Sequence, residues 1–194
     1  MTTLAQSIAR PRVGLSPRAL DLVLVVAGSL AMAGLSHAVI RLPFTPVPVT
    51  GQTLGVLLVG SSLGAARGGA AMTLYLLYGV AGLPVYAEGA SGVQSLLIGS
   101  ATGGYLWGFL VAAIVVGYLA QRGWDRTIGS SIGAMLVGEV IVFTFGVSWL
   151  AASLGIPAEK AMTLGLYPFV LGDLVKLLVA AGILPGAWRL IGRR

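Results

Sequence analysis

The chain has 194 residues, 57% of them hydrophobic and 9% charged, against about 25% charged in a soluble domain, so its twelve Lys/Arg and six Asp/Glu cannot dress a water-facing surface of this size. The net charge of +6 does not mark a nucleic-acid binder, because the basic residues stand at the ends of apolar runs rather than on one polar face. The absence of cysteine excludes disulfides, thiol chemistry and Cys-ligated metals.

By length the chain is one domain, 1–194. Residues Met1 to Arg18 are polar and basic and read as a cytoplasmic N-terminal segment. They precede an apolar run from Leu20 to Ile40, a layout that resembles a signal peptide. The run is about 20 residues, long enough to span a bilayer, and more spans follow, so it reads as a retained first helix. Its small residues, Ala27, Gly28, Ala31, Ala33 and Gly34, let another helix approach closely. The row containing Ala27 and Ala31 suits ordinary internal packing or a docking face for another membrane protein.

From Arg41 to Gln52 the chain has three prolines in six residues, Pro43 to Pro48. This stretch cannot be continuous helix, and it is too apolar for a surface loop, so a loop re-entering at membrane depth is expected. Apolar runs Thr53 to Ala66 and Gly69 to Gly82 flank Arg67 and are short for spans. A long connection, Leu83 to Gly103, follows. Span four covers Gly104 to Ala120, Arg122, Asp125 and Arg126 form a turn, and span five covers Ile128 to Ala152. Gly155 to Leu166 is a connection, and span six runs from near Pro168 to near Pro185.

Nine basic residues fall on one side of this map: Arg10, Arg12, Arg18, Arg67, Arg122, Arg126, Arg189, Arg193 and Arg194. Arg41 and Lys160 fall on the other, and Lys176 lies inside span six. The expected fold is therefore an all-α polytopic membrane protein with six transmembrane helices and both termini cytoplasmic. No internal repeat of the kind that marks a self-contained transporter is evident.

Ionisable groups inside a bilayer are costly and each is a functional candidate: Glu139, Asp173 and Lys176. Asp173 and Lys176 are three residues apart on one helix face. Either they neutralise each other, or they face a pocket open to the outside and grip a polar solute. A self-contained pair in hydrocarbon is replaceable by apolar residues, which favours the second reading. Lys176 suits a carboxylate or phosphate and Asp173 an N–H donor. Glu139 has no partner in sequence, and structural and functional roles stand level for it. Tyr86 and Tyr105 suit an aromatic belt or stacking on a ligand. The chain carries no Walker-type phosphate loop, no His/Glu cluster for a metal and no nucleophile with a base, so it is not expected to be an enzyme or to hold a cofactor.

Four strings carry a more specific signal: Pro46-Val-Pro-Val-Thr-Gly-Gln-Thr-Leu-Gly-Val-Leu-Leu58, Tyr75-Leu-Leu-Tyr-Gly-Val-Ala-Gly-Leu-Pro-Val-Tyr-Ala87, Gly99-Ser-Ala-Thr-Gly-Gly-Tyr-Leu-Trp-Gly-Phe109 and Gly172-Asp-Leu-Val-Lys176. In this order they resemble the BioY family, the biotin-specific substrate-binding (S) components of energy-coupling factor transporters. The resemblance covers nearly the whole chain. One departure is Ser100-Ala101, where the family usually shows Pro-Thr.

The resemblance implies six helices holding biotin near the external face under external loops, in a bacterial cell membrane. Asp173 and Lys176 match the family's polar site residues. Asp173 would meet the ureido N–H groups of biotin and Lys176 its carboxylate, or the reverse. Thr50, Gln52, Tyr86, Glu88, Gln94 and Tyr105 are expected as additional contacts. The implied partners are a transmembrane T component, with Ala27 and Ala31 as its docking face, and two ABC-type ATPases; a homo-oligomer is also admitted. A self-sufficient biotin carrier and a membrane enzyme remain open as other classes.

Overall fold

A computed structural model describes residues 3–9 and 14–192. Four of the basic residues counted above, Arg10, Arg12, Arg193 and Arg194, lie outside the described residues. The described chain forms helices α1 (Leu4–Ala9), α2 (Pro17–Ser36), α3 (Gln52–Leu63), α4 (Ala65–Val80), α5 (Gly103–Gln121), α6 (Ile128–Leu154), α7 (Ala158–Gly165) and α8 (Val170–Gly192). Two-residue strands β1 (Val39–Ile40) and β2 (Val49–Thr50) pair antiparallel.

Local chemistry sets several boundaries. Ser16 caps α2 by accepting from the Ala19 amide, with Pro17 in the first turn. Thr127 caps α6 in the same way through the Ser130 amide. The α3–α4 break falls at Gly64, whose φ of +81° is open to glycine at little cost. The sequence reading put that break at Arg67, which instead lies within α4, where its guanidinium meets Asp21 at 2.8 Å and donates to the Leu63 carbonyl at 3.1 Å.

Three further boundaries differ from expectation. The first span stops at Ser36, because Val39 and Ile40 leave the helix to pair with Thr50 and Val49. The connection after α6 holds a helical segment, α7. The last helix does not end at Pro185 but runs through it. Proline removes one helical hydrogen bond, yet Ala180, Ala181 and Leu184 beside it are fully buried, and that packing holds the helix together.

Helices α2, α5, α6 and α8 are long and apolar enough to cross a membrane. Helices α3 and α4, with 12 and 16 residues, are about 18 and 24 Å long at 1.5 Å per residue. Helix α3 is the centre of the bundle, packed by α2, α4, α5 and α8 and buried at most of its positions. Small residues permit this closeness: a Cβ on Gly60 would stand 2.8 Å from the Ala113 carbonyl oxygen.

The helices alternate in direction between two ends. At one end gather Gly64 with Gln121, Arg67 with Asp21, and Trp188 with Asp125. At the other end lie the β1–β2 hairpin, the long connection after α4, α7 and the start of α8. The candidate site is at this second end.

Candidate functional site

A narrow cavity opens under the hairpin and the α4–α5 connection. Val47, Pro48, Leu106, Phe109, Phe143 and Phe169 make its walls largely apolar, and Thr50, Gln52, Thr53, Asp173 and Lys176 bring polar groups to it. A concave, mostly apolar space with a few convergent polar groups suits a small ligand.

The polar groups are ordered by one another. Lys176 Nζ donates to the Thr50 carbonyl at 2.6 Å, to Thr53 Oγ1 at 3.1 Å and to Asp173 Oδ1 at 2.7 Å. An ammonium has three protons, so this lysine is fully committed. Thr53 Oγ1 in turn donates to Asp173 Oδ1 at 2.8 Å. Asp173 Oδ2 thus has no hydrogen-bond partner among the described residues. The pair is nearly shut off from solvent, with side-chain exposures of 19% for Lys176 and 5% for Asp173. It is both an intrahelical ion pair and part of the cavity wall. The two roles that the sequence leaves as alternatives are therefore combined in one pair.

Gln52 stands at the first turn of α3, where Nε2 donates to the Tyr75 hydroxyl at 2.7 Å and Oε1 accepts from Thr50 Oγ1 at 3.1 Å. Tyr86 and Tyr105 face the cavity with their rings. Their hydroxyls are spent on backbone, donating to the Leu76 carbonyl at 2.7 Å and the Gly165 carbonyl at 2.6 Å. The Tyr86 ring presses on Gly79 and the Tyr105 ring on Gly146, where a side chain would collide with each. Burial pushes the Tyr86 phenol above its ordinary pKa of 10.0, which keeps it a donor.

Six of the eight expected site residues therefore line one cavity: Thr50, Gln52, Tyr86, Tyr105, Asp173 and Lys176. The structure places Glu88 and Gln94 elsewhere. Glu88, at a left-handed φ of +61°, forms an ion pair with Arg41 and so ties the long connection to the hairpin loop. Gln94 borders a separate surface hollow with Ser95 and Ile98. Glu139 lies behind the cavity on α6, buried, with neither carboxyl oxygen partnered among the described residues. Ala27 and Ala31 are exposed on α2, whereas Gly28, Met32 and Ala33 turn inward.

Thr53, Phe143 and Phe169 were missed by sequence reasoning. Thr53 had a signal, since it follows Thr50 and Gln52 at a helix start and shares the α3 face that meets α8. The two phenylalanines had none, being indistinguishable in sequence from lipid-facing residues.

A model of the BioY family matches residues 5–193. The chain is 37% identical over 174 residues to the biotin transporter BioY of Rhizobium etli, covering 86% of this chain and 91% of that protein. It is 37% identical over 158 residues to the biotin transporter BioY of Thermotoga maritima, covering 81% and 90%. A crystal structure of the S-component for biotin from an ECF-type ABC transporter superposes with a TM-score of 0.79 at 24% identity, over 91% of this chain and 95% of that one. At that identity the superposition speaks for the fold alone.

Proposed function

The chain belongs to the BioY family, and from that premise we propose that it binds biotin in the cavity under the hairpin and serves its uptake. The observation that carries this reading is the Asp173–Lys176–Thr53 cluster set into an otherwise apolar wall. Biotin is a compact, mostly apolar molecule with a ureido ring bearing two N–H donors and a valerate carboxylate. Asp173 Oδ2, without another partner, accepts a ureido N–H. The aromatic rings of Tyr86, Tyr105 and Phe169 cover the apolar body of the ligand. Lys176 reaches the carboxylate only by giving up one of its three present acceptors.

The helices α2, α3, α4, α5, α6 and α8 cross a bacterial cytoplasmic membrane six times, with both termini inside and the cavity outside. The short α3 and α4 are accommodated because α3 is sheathed by other helices rather than by lipid. Energy comes from a partner T component and two ATPases, for which the exposed Ala27 and Ala31 offer a docking face.

The test is equilibrium binding of labelled biotin to the purified chain beside Asp173→Asn and Lys176→Ala. Saturable binding by the wild type that is lost in Asp173→Asn supports the site. A folded wild type that binds no biotin removes the substrate assignment. Uptake into proteoliposomes with and without the ATPase module separates a driven subunit from a self-sufficient carrier.

A further inference from the structure

Beside the cavity, on the far side of Phe143, a second, more open space of about 470 Å³ lies between α6, α7 and α8. Its lining is apolar, with Val140, Val147, Leu174 and Leu177 among its walls, apart from Thr144, Ser148 and two acids. One acid is Asp173 and the other is Glu139. Asp173 and Phe143 are the residues that border both spaces. The Phe143 ring is held in an aromatic row, 6.5 Å from Tyr105 edge-on and 6.5 Å from Phe169. Beyond it, Glu139 is buried, and neither of its carboxyl oxygens has a partner among the described residues.

We propose that Phe143 is the partition that sets the length of ligand the protein accepts, and that the α6–α7–α8 groove is a latent subsite for an apolar extension of that ligand. The proposal rests on the biotin reading above. The occupant is fixed by continuity: whatever enters the groove past Phe143 is attached to a molecule already seated against Asp173. Its chemistry is fixed by the lining. A short alkyl chain matches the aliphatic walls, and a hydroxyl at its end can satisfy Glu139, which lacks a partner. With Phe143 in place the ring closes this route, and the protein is selective for the unextended compound. The partition is thus a specificity-determining residue, distinct from the polar cluster that holds the ligand.

The experiment uses the purified full chain, Phe143→Ala and the milder Phe143→Leu. Competition against labelled biotin is measured with biotin, biotin carrying a propyl group on a ureido nitrogen, and biotin propylamide. The wild type is expected to bind biotin and to discriminate against both extended compounds. Phe143→Ala should tighten binding of an extended compound by roughly tenfold or more, the scale of burying two or three methylenes, and Phe143→Leu by less. Whichever compound gains identifies the end of biotin that faces Asp173. A 3-hydroxypropyl extension should gain further, and adding Glu139→Leu should erase that increment. If neither extended compound gains in a folded variant that still binds biotin, the partition is overturned while the biotin site stands. If the wild type binds no biotin, both fall together.

Discussion

Replacing Lys176 by alanine strips the Asp173 carboxylate of its cation and leaves it one donor, Thr53 Oγ1, at a side-chain exposure of 5%. Breaking a buried ion pair by removing one partner costs about 3–5 kcal/mol, and this site lies within that class. Asp173→Ala is milder. The ammonium keeps the Thr50 carbonyl and Thr53 Oγ1 and is 19% exposed, so a loss of roughly 2 kcal/mol is expected. In the double variant neither charge of the pair remains, and only the Thr50 carbonyl and Thr53 hydroxyl lose partners, again roughly 2 kcal/mol. The double variant should therefore be more stable than Lys176→Ala alone, and short of the additive sum by about 3–5 kcal/mol. Denaturant titration in mixed micelles reads this directly. Biotin binding, measured on the same samples, should be absent from the double variant although it folds. Additive losses, or a double variant as unstable as the sum of the two, would refute the view that the pair is retained for ligand binding rather than for the fold.

Three other outcomes are expected. Gly60→Ala forces a Cβ to 2.8 Å from the Ala113 carbonyl and should destabilise by about 1–3 kcal/mol, whereas Gly182→Ala meets nothing within 4 Å and should be neutral or slightly stabilising; thermal unfolding compares them. Arg41→Ala and Glu88→Ala each cut an exposed tie between the two loops over the cavity, so stability should change by less than about 1 kcal/mol while labelled biotin dissociates faster in a chase. Asp125, in the turn between α5 and α6, has its pKa raised above 3.8 by burial, against the lowering by its Trp188 hydrogen bond and by Arg126. A raised folded-state value means stability present at low pH and lost as pH climbs from the ordinary value through the folded one. Asp125→Asn should flatten that slope in unfolding measured from pH 4 upward.

The helical architecture was legible because hydropathy must match the membrane, and apolar runs of about 20 residues admit few alternatives. Its errors share one cause, the overriding of local signals by packing. Arg67 looked like a loop residue, but Asp21 and the Leu63 carbonyl let it sit in a helix. Pro185 looked like a terminus, but buried neighbours carry α8 past it. For the site, Asp173 and Lys176 stood out because unneeded charge in a bilayer is costly. Glu88 and Gln94 carry only the signal of polar loop residues, and Glu88 is already held by Arg41. Phe143 could not be found at all, since a partition between two spaces exists only once three helices have met.

The saturation of Lys176 gives the site an order of events. All three of its protons are in use, and one holds the Thr50 carbonyl, the end of the hairpin that roofs the cavity. A ligand carboxylate that accepts a hydrogen bond from Lys176 must displace the Thr50 carbonyl, Thr53 or Asp173. Asp173 Oδ2 asks for no such exchange. First contact through Asp173, with Lys176 engaged afterwards, requires only that hydrogen bonds be added and then traded, never that a buried ammonium be left short. Because Thr50 lies in the strand paired with Val39, any trade that releases its carbonyl is felt along the hairpin. Lys176, which pairs with Asp173, is in this way also bonded to the hairpin above the cavity, so on the proposed biotin reading a ligand that trades for one of its hydrogen bonds also acts on the hairpin.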